Sequence, residues 1–170
     1  MSPNAKILEQ LNIVSGFVPL ALTTARTGDV ISLKNYRRAC VVFFKAAGTA
    51  GDDPTITVLQ GTDVAFGTNK ALNFTTIYTK QGADLTAVGS WTKVTQAAGN
   101  TYTDATSAEV QAIWAIEFDA EDLDIANNYD CIRASISDVG TNAQLGCLLY
   151  LLGDPAQMSA PEDMPSAITD

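Results

Sequence analysis

The residues that usually carry chemistry are few in this chain and poorly spaced for it. None of its 170 residues is a histidine, which removes the commonest general base and the commonest metal ligand together. Cys40, Cys131 and Cys147 lie far apart among apolar neighbours with no Cys-x-x-Cys spacing, the pattern of reduced, buried thiols. The run Asp119-Ala120-Glu121-Asp122-Leu123-Asp124 offers the hard oxygens that Ca²⁺ takes. As an EF-hand loop it would place Leu123 at the fifth position and Asp124 where glycine is needed, so it reads as a solvated turn. Asp52-Asp53 could pair carboxylates as a glycosidase does, but Pro54 behind them marks an ordinary turn start. Gly61 to Gly67 carries glycines with no Lys-Ser/Thr following, which leaves a phosphate loop unsupported. Serines without a histidine form no triad, and no Ser-Lys motif stands in for one. The inventory predicts a protein that is not an enzyme and takes no cofactor and no metal.

Charge narrows the partners. Nineteen acidic residues against ten basic ones leave a net charge of −9, a field that repels phosphate backbones and anionic headgroups. Neither nucleic acid nor membrane is an expected partner, and no apolar run approaches the roughly 18 to 20 residues of a spanning helix. The one local excess of positive charge is Lys34, Arg37 and Arg38 around Tyr36, which could steer docking to an acidic surface or simply meet water. The first ten residues lack the cationic start of a secretory leader, so use without secretion is expected.

The elements that must position these groups are strands. With 46% hydrophobic and 17% charged residues the composition is globular and well short of disordered. Short β-branched and aromatic runs recur between Gly, Asn and Asp clusters, the spacing of an all-β, antiparallel sandwich of jelly-roll-like type. Nine segments are predicted: 17–24, on an edge because of Pro19; 29–33; 38–46; 55–60; 71–80; 91–95; 113–118; 129–137; and 143–152. Segments 38–46 and 143–152 are apolar at both alternating sets of positions, which predicts central strands buried on both sides. Segments 38–46 and 55–60 are expected to pair as a hairpin. Thr106-Ser107-Ala108-Glu109 resembles a capping box that would open a helix over 110–118, but a strand fits the neighbouring β-rich sequence better. Residues 96–107, small and polar, read as an exposed connection.

The ends have a different character. Prolines at 155, 161 and 165 forbid helix and central strand. The organisation expected is an N-terminal arm over 1–14, one domain over 15–153 and an extended C-terminal arm over 154–170. The first arm carries Ile7, Leu8, Leu11, Ile13 and Val14, and the second Met158, Met164 and Ile168. Such residues become ordered by lying on neighbouring subunits. Ile7, Leu8, Leu11, Met158 and Met164, with Lys34, Arg37 and Arg38, are therefore the candidate partner contacts.

Several stretches together resemble a known family. Ile31 to Tyr36, Ala46 to Pro54, Leu72-Asn73-Phe74, and Phe118 to Asp124 leading into Tyr129-Asp130-Cys131-Ile132-Arg133 are similar to head decoration, or cement, proteins of tailed bacteriophages, over most of residues 28 to 152. The resemblance implies a β-sandwich or jelly-roll-like protein made in the host cytoplasm. It implies binding to the major capsid protein on the capsid exterior of the virion, commonly as a homotrimer, so as to bridge neighbouring subunits against internal DNA pressure. The alternative is a tail or fibre module that binds a surface glycan through exposed aromatics, with Trp91, Tyr102 and Tyr129 as its candidates.

Overall fold

The computed structural model describes residues 6–105, 110–157 and 160–169. Within them every strand pairing is antiparallel, and the strands form two sheets packed face to face. The first sheet takes β1 (Leu11–Ala21), β4 (Tyr36–Lys45), β7 (Phe74–Gly82), β8 (Thr92–Gly99), β10 (Gln111–Asp119) and β12 (Leu145–Pro155), in the order β1-β12-β4-β10-β7-β8. The second is built on β5 (Thr55–Gly61) and β11 (Cys131–Ile136), in the order β2-β11-β5-β6. Its other members are short: β2 (Arg26–Thr27) and β6 (Asn69–Ala71) on that path, β3 (Ile31–Ser32) on β11, and β9 (Thr101–Thr103) on β5. The all-β sandwich expected from the alternation of residue types is what forms.

The core lies between the sheets, as the period-2 rule requires of inward-facing positions. From the first sheet come Val41, Phe43, Trp114, Ile116, Phe118, Leu148, Tyr150 and Leu152; from the second, Ile56, Val58, Ile132, Ala134 and Ile136, all buried. Trp114 joins the two layers. Its ring meets Tyr102 of β9 edge-on at 4.9 Å and lies tilted against Phe43 at 5.4 Å, geometries that aromatic quadrupoles favour.

Several expectations are corrected. β4 and β5 do not pair as a hairpin, because both edges of β4 are already taken by β12 and β10, so the chain crosses to the other sheet through the 46–54 loop. Residues 111–119 are strand, held by β4 on one side and β7 on the other; the capping-box residues 106–109 lie outside the described residues. The stretch 96–107 is less irregular than its composition suggests, since β8 runs on to Gly99 and Asn100 turns the chain into β9. Backbone pairing to β5 orders those small residues. In β7 strict alternation from 71 to 80, which would set Leu72, Phe74 and Tyr78 on one face and Thr75, Ile77 and Thr79 on the other, slips at a bulge between Phe74 and Thr76, so Phe74, Ile77 and Thr79 are buried while Tyr78 faces outward.

Neither end is a free arm where it is described. Leu11 to Val14 belong to β1, in register with Gly153 to Tyr150. Asp154 and Pro155 complete β12, and the C-terminal segment folds back on its own sandwich. The amide of Ser32 donates to Ala167 O at 2.6 Å, the Tyr36 hydroxyl donates to Pro165 O at 2.5 Å, and Ala167 is buried. Three prolines bar regular structure there, but not contact.

The sheets are also tied by polar groups. The Tyr150 hydroxyl, fully buried, accepts from the Ala134 amide at 2.9 Å and donates to Asp29 O at 2.9 Å. Gly28 donates its amide to Ala134 O at 2.9 Å, and a Cβ there would stand 2.6 Å from that oxygen and 2.9 Å from the Tyr150 hydroxyl. Replacing Tyr150 by Phe leaves the buried Ala134 amide and Asp29 carbonyl without this partner, which costs about 1–3 kcal/mol. A lowered urea midpoint with an unchanged m-value is the expected result; an unaltered midpoint would show the hydroxyl to be dispensable.

Candidate interaction surface

A sheet whose outer face meets water alternates apolar and polar residues. The second sheet obeys this with one exception: Thr55, Thr57, Arg133 and Ser135, joined by the half-buried Leu59, point outward from β5 and β11 between the buried Ile56, Val58, Ile132, Ala134 and Ile136. The first sheet does not. Its outward positions on β4 are Cys40, Val42 and Phe44, on β12 Leu145, Cys147, Leu149 and Leu151, and on β10 Ile113 and Ala115.

Register lines these residues up in rows across the strands. Ile13, Leu151, Cys40 and Glu117 form one row; Ser15, Leu149, Val42, Ala115 and Tyr78 the next; Cys147, Phe44, Ile113 and Lys80 a third. The double apolar pattern that predicted strands buried on both sides thus belongs to strands that are central, as expected, but covered on one side only within this chain. Phe44, Leu145 and Ile13 are about half exposed. Shallow depressions open along the face, one at the Phe44, Leu145 and Cys147 end and others at the opposite margin near Arg38 and Glu117.

The candidate contacts named from sequence fall into three groups. Lys34, Arg37, Arg38, Ile7, Leu8 and Leu11 are brought to one end of the sandwich, because Gly153 of β12 pairs with both Leu11 and Arg38. Ile7 and Leu8, in a 3-10 turn over Ile7–Glu9, are exposed, as are Lys34 and Arg37. Arg38 is not an isolated positive charge: its Nε lies 3.4 Å from Asp119 and 3.2 Å from Asp154. Met164 packs partly buried against the core, which removes it as a projecting contact, and Met158 lies outside the described residues. The rows of the outer face went unnamed as a site because their signal, apolar residues at both sets of strand positions, was assigned to burial inside the fold.

The remaining chemical candidates resolve into structure. Asp119 and Asp122 cap the short 3-10 turn Ala120–Asp122. Asp124 accepts from Lys70 and Asn127, and the bond from Lys70, then that from Asn127, holds its carboxyl below the usual value. Among the described residues no group of three or more His, Cys, Asp or Glu side chains could hold a metal ion. Asp52 accepts from Asn142 at 2.9 Å, tying two loops together. Trp91, Tyr102 and Tyr129 do not line one groove: Tyr102 is buried against Trp114, Trp91 lies under Lys80 and Tyr129 under Lys70.

No family model matches this chain, and no curated protein matches it. Among solved structures, the SPBc2 prophage-derived protein YomS is similar at a TM-score of 0.45 and 12% identity, over 85% of this chain and 93% of that one. A likeness of that degree carries no argument about function.

The cysteines report on the outer face. Cys131 is fully buried, whereas Cys40 and Cys147 are half-buried on the open side. Burial, then the charge of Glu117, pushes the Cys40 thiol up to about 12, and burial raises Cys147. Both thiols hold their protons more tightly folded than unfolded, so this contribution to stability is complete below the ordinary value of 9.0. For Cys40 it is lost as pH rises from there towards about 12. In the dilute native protein maleimide is expected to modify Cys147 first, Cys40 more slowly and Cys131 only after unfolding; early labelling of Cys131 would contradict the fold.

Proposed function

We propose that this chain is a virion structural protein of a tailed bacteriophage that binds the outer surface of the capsid and stabilises it by bridging neighbouring major capsid subunits. The observation that carries this reading is the apolar outer face that β12, β4 and part of β10 present in the first sheet, which suits a part covered by other protein surfaces in an assembly. The family resemblance of residues 28 to 152 supplies the kind of assembly. The chemical inventory agrees, since the histidine-free chain has its acidic run engaged in turn caps and in the Lys70 pair. The work is mechanical: a contact spanning two capsid subunits adds its binding free energy to what must be overcome before they separate.

In this reading the end carrying Ile7, Leu8, Lys34 and Arg37 docks on the capsid. It joins exposed apolar side chains to positive charge in a chain of net charge −9. There the like-charge repulsion between the protein and an acidic capsid surface is smallest. Purified protein mixed with undecorated heads should co-sediment with them, and Leu8→Asp should weaken that binding about tenfold or more by placing a charge in an apolar contact. Failure to co-sediment at any ionic strength would overturn the capsid reading.

A further inference from the structure

We infer that the outward face of the first sheet is the surface through which copies of this chain associate, with Val42 and Leu149 near its centre. This goes beyond the capsid reading by giving the face an occupant, a second copy, and its test needs no capsid.

Area is the first argument. Six strands about 4.8 Å apart, each about nine residues long at about 3.4 Å per residue, present roughly 900 Å² of sheet, of which the four mainly apolar strands β1, β12, β4 and β10 make up about two thirds and the polar β7 and β8 the rest. A standard-size interface takes roughly 800 Å² from each partner. The face is broad and shallow, the shape that aligned sheet-on-sheet packing fills, and two apolar faces that interdigitate gain what neither gains in water.

Charge is the second argument. The row Ser15, Leu149, Val42, Ala115 and Tyr78 divides the face. Glu117 stands two residues to one side of it on β10, and Lys80, opposite Ile113, two residues to the other side on β7. Lys93, opposite Tyr78, adds positive charge on β8, and Asp119 adds negative charge beyond Glu117. A two-fold axis lying close to that row turns Glu117 of one copy towards Lys80 of the other, and the reverse, in the self-complementary manner of an isologous contact. Copies of net charge −9 repel one another over most of their surface. The residues that β12 and β4 place in these rows carry no charge, and Glu117 and Lys80 at the ends of two rows carry opposite signs.

Light scattering and sedimentation equilibrium of the purified full-length protein test this directly. The expected mass is at least twice the 18.0 kDa of one chain, and maleimide labelling of Cys147 should slow as protein concentration rises. Val42→Asp should raise the dissociation constant more than about tenfold. Because that variant could also disturb folding, the exposed pair provides a second arm: Glu117→Lys should weaken association, and Glu117→Lys combined with Lys80→Glu should recover it. A single-chain mass at all concentrations overturns the inference, as does an oligomer indifferent to Val42→Asp and Glu117→Lys. So does protection of Cys147 that appears only when heads are added, which would assign the face to the capsid contact. Self-association with no binding to heads would leave the inference standing and defeat the capsid reading alone.

Discussion

The Tyr150 hydroxyl sits fully buried between the two layers, and its two hydrogen bonds help fix how the layers lie on each other. Ala134 gives its amide to this hydroxyl and its carbonyl to Gly28. One residue of β11 is thus bound to β12 of the facing sheet and to the segment between β2 and β3. Hydrophobic burial is non-directional and would tolerate sliding of one sheet over the other. Hydrogen bonds in a dry interior are directional and costly to leave unmade. Gly28 is needed for the same reason, since the space its missing Cβ would occupy is filled by Ala134 O, Leu148 and the hydroxyl itself.

A sheet has two faces, and this chain has one other sheet with which to cover them. Once Tyr150 and the Trp114 cluster commit the inner face to the second sheet, the outer residues of β4, β10 and β12 have nothing left to pack on among the described residues. The described part of the C-terminal segment is engaged elsewhere, with Pro165 and Ala167 held by Tyr36 and Ser32. The contrast with the second sheet is what gives the pattern meaning: Thr55, Thr57, Arg133 and Ser135 follow the rule for a wetted face, so the fold itself does not dictate apolar residues outside.

Much of this was legible in the residues. The strand runs, the sandwich and the centrality of 38–46 and 143–152 follow from period-2 patterning and β-branched content, which are local properties. What was not legible is long-range. Sequence shows that Val42 and Leu149 are apolar but not whether their cover comes from the same chain, because burial inside a fold and burial inside an assembly leave the same mark. Hairpin pairing of 38–46 with 55–60 was the natural inference from proximity and failed because β12, a hundred residues downstream on the order of the chain's own length, claims the edge that β5 would have used. The bulge in β7 moved Ile77 to the core by a one-residue slip that composition does not encode. Met164 read as a projecting contact since prolines around it forbid a ladder, yet an irregular segment packs as well as a regular one when its carbonyls find donors such as the Tyr36 hydroxyl.

The contacts named from sequence and the face found in the structure lie at different places, and the difference has a mechanical consequence. Ile7, Leu8, Lys34 and Arg37 gather at one end of the strands, whereas Val42, Phe44, Cys147 and Leu149 spread across their flank. A part that used one surface both for its own copies and for a lattice would have to give up one contact to make the other. With the two surfaces on an end and a flank, copies can meet through the flank and leave their ends open, and the two-fold arrangement that brings Glu117 of one copy to Lys80 of the other turns those ends in opposite directions. Each copy of such a pair offers its end to a separate surface, so the pair gains no second attachment to one flat lattice. Arg38, held between Asp119 and Asp154 where the end meets the flank, offsets one of the two negative charges at that corner. A contact that reached this corner would bury a paired guanidinium and not a free cation.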